Sequence, residues 1–216
     1  EYLSEYIPPE NERLAWISGF TGSAGLVIIT AQKGAVFVDG RYTVQVKEQV
    51  DSSLYEILHI KENPWNQWIN KNLHSGAIIG YDSRLHQANW EENTKKLLKG
   101  NFALFSINEN PIDLFWKNRP ESNKETALLL NEKYTGKSSE EKRKNMAEEI
   151  SKNNCDAAFL TQLDSIAWLL NIRGNDVPCN PVLFCHGLLY ANGAFDLYIN
   201  ENKIPIDFHN HVGPDV

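Results

Sequence analysis

The chain has 216 residues, 42% hydrophobic and 23% charged, the balance of an ordinary globular protein and enough for one large domain or two small ones. A net charge of −7 argues against a general nucleic-acid binder, which would show a basic stripe. No apolar run approaches the roughly 18 residues that span a bilayer, and residues 1–20 lack the basic-then-apolar order of a signal peptide. Cys155, Cys179 and Cys185 are odd in number with no CxxC spacing, and no Asn-x-Ser/Thr sequon occurs, so a reducing, cytoplasmic home is expected. The chain starts without Met.

In chain order, Ala24–Thr30 and Ala35–Asp39 are short, β-branched and bounded by glycines, which predicts two buried strands joined at Gln32-Lys33-Gly34. Apolar residues at 42, 46 and 50 predict a helix over 42–50, with Asp39 as a possible cap. Leu54–Ile60 reads as a strand. Asn63-Pro64 opens a helix through about Leu73, because Pro suits a first helical turn. Ala77–Tyr81 and Phe102–Ile107 read as strands around a helix at His86–Lys99 that Gly100 ends. The alternation predicts an α/β or mixed layered domain over residues 1–110.

Residues 111–136, with Pro111, Pro120, polar stretches and Gly136, read as a linker holding a short helix near Ile112–Trp116. A second domain follows at 137–216. Ser138 with Glu141 forms a capping box at the head of a charged helix that runs to about Asn153. Ala157–Thr161 is then a strand, Asp164–Asn171 a helix, and Val182–Tyr190 with Ala194–Ile199 a hairpin around Asn192-Gly193. Leu14-Ala15-Trp16-Ile17 is echoed by Ile166-Ala167-Trp168-Leu169, each followed by a glycine, a strand, a turn and a strand, which suggests two related domains.

Three segments are candidate sites. Ser18–Gly25 has glycines at 19, 22 and 25, but it runs from helix to strand, the reverse of a phosphate loop; a compact turn feeding a buried strand is the expectation. Asp39-Gly40-Arg41-Tyr42 ends a strand and starts a helix. There Arg41 can offer a bidentate fork to a carboxylate, or make a structural ion pair, or stay solvated. Asn171–Pro181 is a polar, Gly- and Pro-rich loop that suits function or a rigid edge equally. His209 and His211 are the only close histidines and lack nearby partners, while His59, His74, His86 and His186 are scattered. No G-x-S-x-G elbow is present, and the tryptophans read as core. Taken from the residues alone, no catalytic constellation is visible.

Taken together, Ser4–Pro9, Arg13–Gly25 and Val38–Tyr42 closely resemble the first domain of the three-domain Xaa-Pro aminopeptidases. Asp164–Asp176 with Asn180-Pro181-Val182 resembles the second domain, and Asp113–Trp116 with Arg119-Pro120 the linker. The motifs run in family order over almost the whole chain. The resemblance implies two creatinase N-terminal-like domains, each a mixed β-sheet flanked by helices. The first would lack its opening elements and the second would be truncated.

In that family a C-terminal domain holds two metal ions, usually Mn²⁺, on two Asp, one His and two Glu. It releases the N-terminal residue of peptides with proline in second position. The resemblance thus implies that this chain holds no catalytic or metal-binding residue and is inactive alone. Its domains would shape and restrict the substrate entrance of a protein that is a homodimer at full length. It also implies that Arg41 binds the substrate peptide, and that Arg173, Asp176 and Asn180 fix loop shape. The alternative is a stand-alone creatinase-like module that binds a peptide or protein without catalysis, to which the acidic balance would bring a basic partner.

Overall fold

The computed structural model describes residues 6–216. Residues 1–5, including Ser4 and Glu5 of the first family motif and Glu1-Tyr2-Leu3 before it, lie outside the described residues. The chain divides into two compact units, residues 1–121 and 122–216.

In the first unit, helix α1 (Arg13–Ser18) stops at Gly19, whose φ of 79° is left-handed; a Cβ there would lie 2.8 Å from the Gln49 carbonyl oxygen. Strands β1 (Gly25–Ile29) and β2 (Gly34–Val38) follow, then helix α2 (Gln45–Gln49) and strand β3 (Tyr55–His59). Strand β2 is the middle of a three-stranded mixed sheet, antiparallel to β1 and parallel to β3.

Every residue of β2 is buried, and the pleat sends alternate side chains into two cores. Val36 and Val38 meet Phe20, Val46 and Val50 on one face. Ala35 and Phe37 meet Trp68 and Ile69 on the other. Those two belong to helix α3 (Trp65–Asn72), which follows Pro64. Strand β4 (Ile78–Tyr81), helix α4 (Trp90–Leu97), strand β5 (Ala103–Ser106) and helix α5 (Pro111–Phe115) complete the unit, with β4 parallel to β5. Arg13 grips Asp113 of α5 through two hydrogen bonds of 2.7 and 3.0 Å.

Two helices are shorter than the sequence periodicity predicts. Asp39 accepts from the Arg41 backbone N–H and caps a 3-10 turn at Gly40–Tyr42, so α2 begins only at Gln45. Residues 86–89 form a turn in which the His86 ring stacks on Trp90 at 3.9 Å, so α4 begins at Trp90. It ends at Leu97 with an extended Leu98, and Gly100 plays no part in the cap.

The second unit carries strand β6 (Leu128–Leu129) and helices α6 (Glu132–Thr135) and α7 (Ser139–Lys152). Strand β7 (Ala157–Leu160), helix α8 (Leu163–Leu170) and strands β8 (Ile172–Arg173), β9 (Cys185–Tyr190) and β10 (Phe195–Ile199) follow, with helix α9 (Phe208–Val212) last. The capping box of Ser138 and Glu141 is formed at the head of α7. Strand β9 is central and antiparallel to both β7 and β10, while β6 pairs with β8. The β9–β10 turn closes on Gly193 at φ 89°, with its N–H on the Tyr190 carbonyl at 2.9 Å. Strand β9 starts at Cys185, three residues later than the apolar run predicts.

One core fills this unit, built from Ile166, Leu169, Leu170, Leu189, Phe195 and Phe208 among others. Two cations of α7 are buried beside it. Lys142 donates to the Trp168 carbonyl at 3.0 Å and to Asn171 Oδ1 at 2.6 Å, capping the C-terminus of α8. The Arg143 guanidinium donates to the carbonyls of Gly193, Val212 and Pro214 at 2.5, 3.1 and 2.8 Å.

Candidate functional site

Strands β2 and β3 run parallel and end together, with Val38 opposite His59. The carboxyl ends of parallel strands are where open α/β sheets most often place ligands. Asp39, Gly40 and Arg41 leave β2 at this edge. The Arg41 guanidinium lies back on the Asp39 carboxylate, with Nη2 to Oδ2 at 2.7 Å and Nε to both oxygens at 3.1 and 3.2 Å. That contact holds the Asp39 carboxyl below its ordinary range, with a smaller contribution from His59. The Arg41 side chain is nevertheless 63% exposed. Its guanidinium carbon lies 5.2 Å from the centroid of the Tyr42 ring.

Tyr42 fixes the turn from beneath. Its ring meets Phe20 edge-on at 5.3 Å, and its hydroxyl is 2.7 Å from Ser23 Oγ. Asp39-Gly40-Arg41-Tyr42 therefore presents one exposed fork on a rigid base. His59, which its scattered position in the sequence did not single out, stands beside it. Its Nδ1 accepts from the Lys61 N–H at 3.3 Å, and its Nε2 lies 3.5 Å from where a Cβ on Gly40 would sit.

The glycine-rich loop at 18–25 does not form an anion cradle. The Phe20 N–H donates to Ser18 Oγ, Thr21 N–H to Gln49 Oε1 and Ser23 N–H to Tyr42 Oη. A Cβ on Gly22 would fall 2.2 Å from the Phe20 ring, and one on Gly25 would fall 2.9 Å from Leu14. The loop is a compact turn feeding β1, as its helix-to-strand order predicts.

The 171–181 loop of the second unit is held from within. Asn171 takes a left-handed φ of 55° and donates from Nδ2 to the Lys137 carbonyl at 2.8 Å. Asp176 accepts from the Phe184 N–H at 2.8 Å and from the Lys203 ammonium at 2.5 Å, and Lys203 donates also to the Asn123 carbonyl. Arg173 donates to the carbonyls of Ala167 and Ile172. The Asn180 N–H closes a turn on the Val177 carbonyl at 3.2 Å. These contacts shape the loop from within, while Asn175 and Cys179 stay exposed on it.

His209 and His211 lie on α9, where His211 Nε2 is 3.0 Å from the Asn171 carbonyl oxygen. Among the described residues, no three His, Cys, Asp or Glu side chains are grouped to hold a metal ion. No helix among them is long and apolar enough to cross a membrane.

Comparison with known proteins places these features. Residues 2–112 match a family model described as the creatinase/prolidase N-terminal domain. Residues 118–216 match a second model of the same description. The chain is 37% identical to a probable Xaa-Pro aminopeptidase P of Ajellomyces capsulatus, over all of this chain and 34% of the relative. It is 36% identical to that of Aspergillus fumigatus, over all of this chain and 33% of the relative. The chain thus spans about a third of the length of the curated relatives it matches. Its fold superposes on a crystal structure of the X-prolyl aminopeptidase of Caenorhabditis elegans with a TM-score of 0.84 and 30% identity, covering 97% of this chain and 35% of that one. The strand-end Asp-Gly-Arg-Tyr turn, the repeated helix-then-hairpin order and these two matches lead to one conclusion: the chain belongs to the creatinase/prolidase N-terminal domain family and carries that domain twice.

Proposed function

We propose that this chain is the non-catalytic N-terminal region of a metal-dependent Xaa-Pro aminopeptidase, which releases the N-terminal residue from peptides with proline in second position. The observation that carries the reading is the end-to-end match to one third of such proteins, in sequence and in fold. In this reading the two domains wall the substrate entrance and admit slender peptides. Arg41 contacts the peptide, its guanidinium leaving or sharing Asp39 to meet a carbonyl or carboxylate oxygen. Catalysis belongs to a further domain with two divalent metal ions, with manganese as the metal we propose. The C. elegans relative is described as cytosolic with a di-nuclear active site, which supports the metal pair and a cytoplasmic location. The full-length protein is proposed to be a homodimer.

The test pairs two proteins. This chain alone, with or without Mn²⁺, is expected to hydrolyse no Xaa-Pro peptide. The complete protein from the same gene is expected to hydrolyse Arg-Pro-Pro with metal, and Arg41→Ala is expected to raise KM about tenfold, the loss of a charge-assisted hydrogen bond. Metal-dependent turnover by this chain alone sinks the reading. So does an inactive complete protein, which would make the chain a binding module.

A further inference from the structure

We propose that His59 is a second peptide-binding residue at the Arg41 turn, and that its Nε2–H donates to a carbonyl oxygen of the bound peptide. The proposal rests on the reading of Arg41 as a peptide contact. Three features of the turn carry it.

The first is placement. His59 is the last residue of β3 and pairs with Val38, the residue before Asp39, so parallel pairing puts it at the same sheet edge as Arg41. The second is the tautomer. Nδ1 accepts a backbone N–H from Lys61, so in the neutral ring the proton sits on Nε2. The third is the missing side chain between the two groups. Nε2 of the half-buried His59 faces Gly40, where an added Cβ would stand in van der Waals contact at 3.5 Å, so glycine places no side chain over it from that side. Gly40 itself is exposed, so the nitrogen and the guanidinium border the same open surface. Asp39, pulled below its ordinary range by both groups, is the anchor between them.

A peptide backbone offers acceptors in a row, and two donors of different kinds on one strand edge can take two of them. Arg41 is suited to a carboxylate or to an oxygen that takes two N–H bonds at once, and His59, with one N–H, to a single carbonyl. Gly40 keeps the lane between them clear.

The experiment uses the complete protein and steady-state hydrolysis of Arg-Pro-Pro. His59→Leu is expected to raise KM about fivefold with kcat held, the worth of one neutral hydrogen bond. His59→Gln is expected to recover most of that loss, because its amide nitrogen reaches the position of Nε2. Gly40→Leu, which covers Nε2 and leaves His59 in place, is expected to match His59→Leu. It decides alone if His59→Leu does not fold. An unchanged KM in Gly40→Leu, or equal KM values for His59→Leu and His59→Gln, overturns the proposal. Arg41→Ala separates the two claims. If it raises KM and the His59 and Gly40 variants do not, only the role of His59 falls. If it has no effect, the reading of Arg41 falls independently of theirs.

Discussion

Cys185 begins β9 inside the core of the second unit, and burial pushes its thiol up to about 12. Cys155 and Cys179 are exposed. Since the thiolate is the nucleophile, iodoacetamide at pH 8 is expected to add to Cys155 and Cys179 in the native protein. Cys185 should react only after denaturation. Mass spectrometry reads this directly as two adducts native and three in urea; rapid native labelling of Cys185 would contradict its burial. At this scale the sequence is a partial guide. Asp39-Gly40-Arg41-Tyr42 was visible because its four residues are consecutive and end a β-branched run. His59 was not, because its neighbour Val38 is supplied by a parallel crossover, which leaves no local pattern. Lys142, Arg143 and Lys203 were also hidden: a cation in a charged stretch reads as solvated until the carbonyls that bury it are known.

Among the elements, β2 determines the first unit. Ala35, Val36, Phe37 and Val38, four of its five residues, feed two cores, so a cavity on either face loosens the whole sheet. Phe37 is fully buried and meets the Trp68 ring edge-on at 6.2 Å. Phe37→Ala is expected to cost about 3–5 kcal/mol, read as a fall in the urea midpoint with an unchanged slope. A cost under about 1 kcal/mol would mean that β2 is not the middle of the packing. Strands of four residues or more were legible as apolar, β-branched runs, but β6 and β8, two residues each, are too short to leave a pattern, and β6 lies in the stretch read as a linker. The starts of α2 and α4 were not, because a helix period does not say where the first turn begins. Asp39 tightens one start into a 3-10 turn, and the His86–Trp90 stack delays the other. The end of α7 needed no such correction: Asn153 closes it, with its backbone N–H and side-chain amide both on the Glu149 carbonyl.

On the scale of the molecule, one buried carboxyl governs how the first unit meets acid. In the first, Asp82 is buried at the end of β4, where Arg84 and Asn110 hold its carboxyl down to about 2 from an ordinary 3.8. A depressed carboxyl stabilises the fold above its unfolded value, and that stability drains as the pH falls from 3.8 through 2. The contribution is about 2 kcal/mol. Urea titrations at pH 5 and pH 2 are expected to show the wild type losing about 2 kcal/mol more than Asp82→Asn. Equal losses would mean that the carboxyl is not held. Dissolved salt acts on charged contacts in both units. The surface pairs Lys95–Glu91, Lys96–Glu92 and Lys144–Glu140 are charge meeting charge in water, and dissolved ions weaken them. Arg143 instead meets three backbone carbonyls in a buried site, and no small anion can take their place without entering the protein. The tie between α7, the β9–β10 turn and α9 therefore keeps its strength in concentrated electrolyte, where the ornament of surface charge has been screened away.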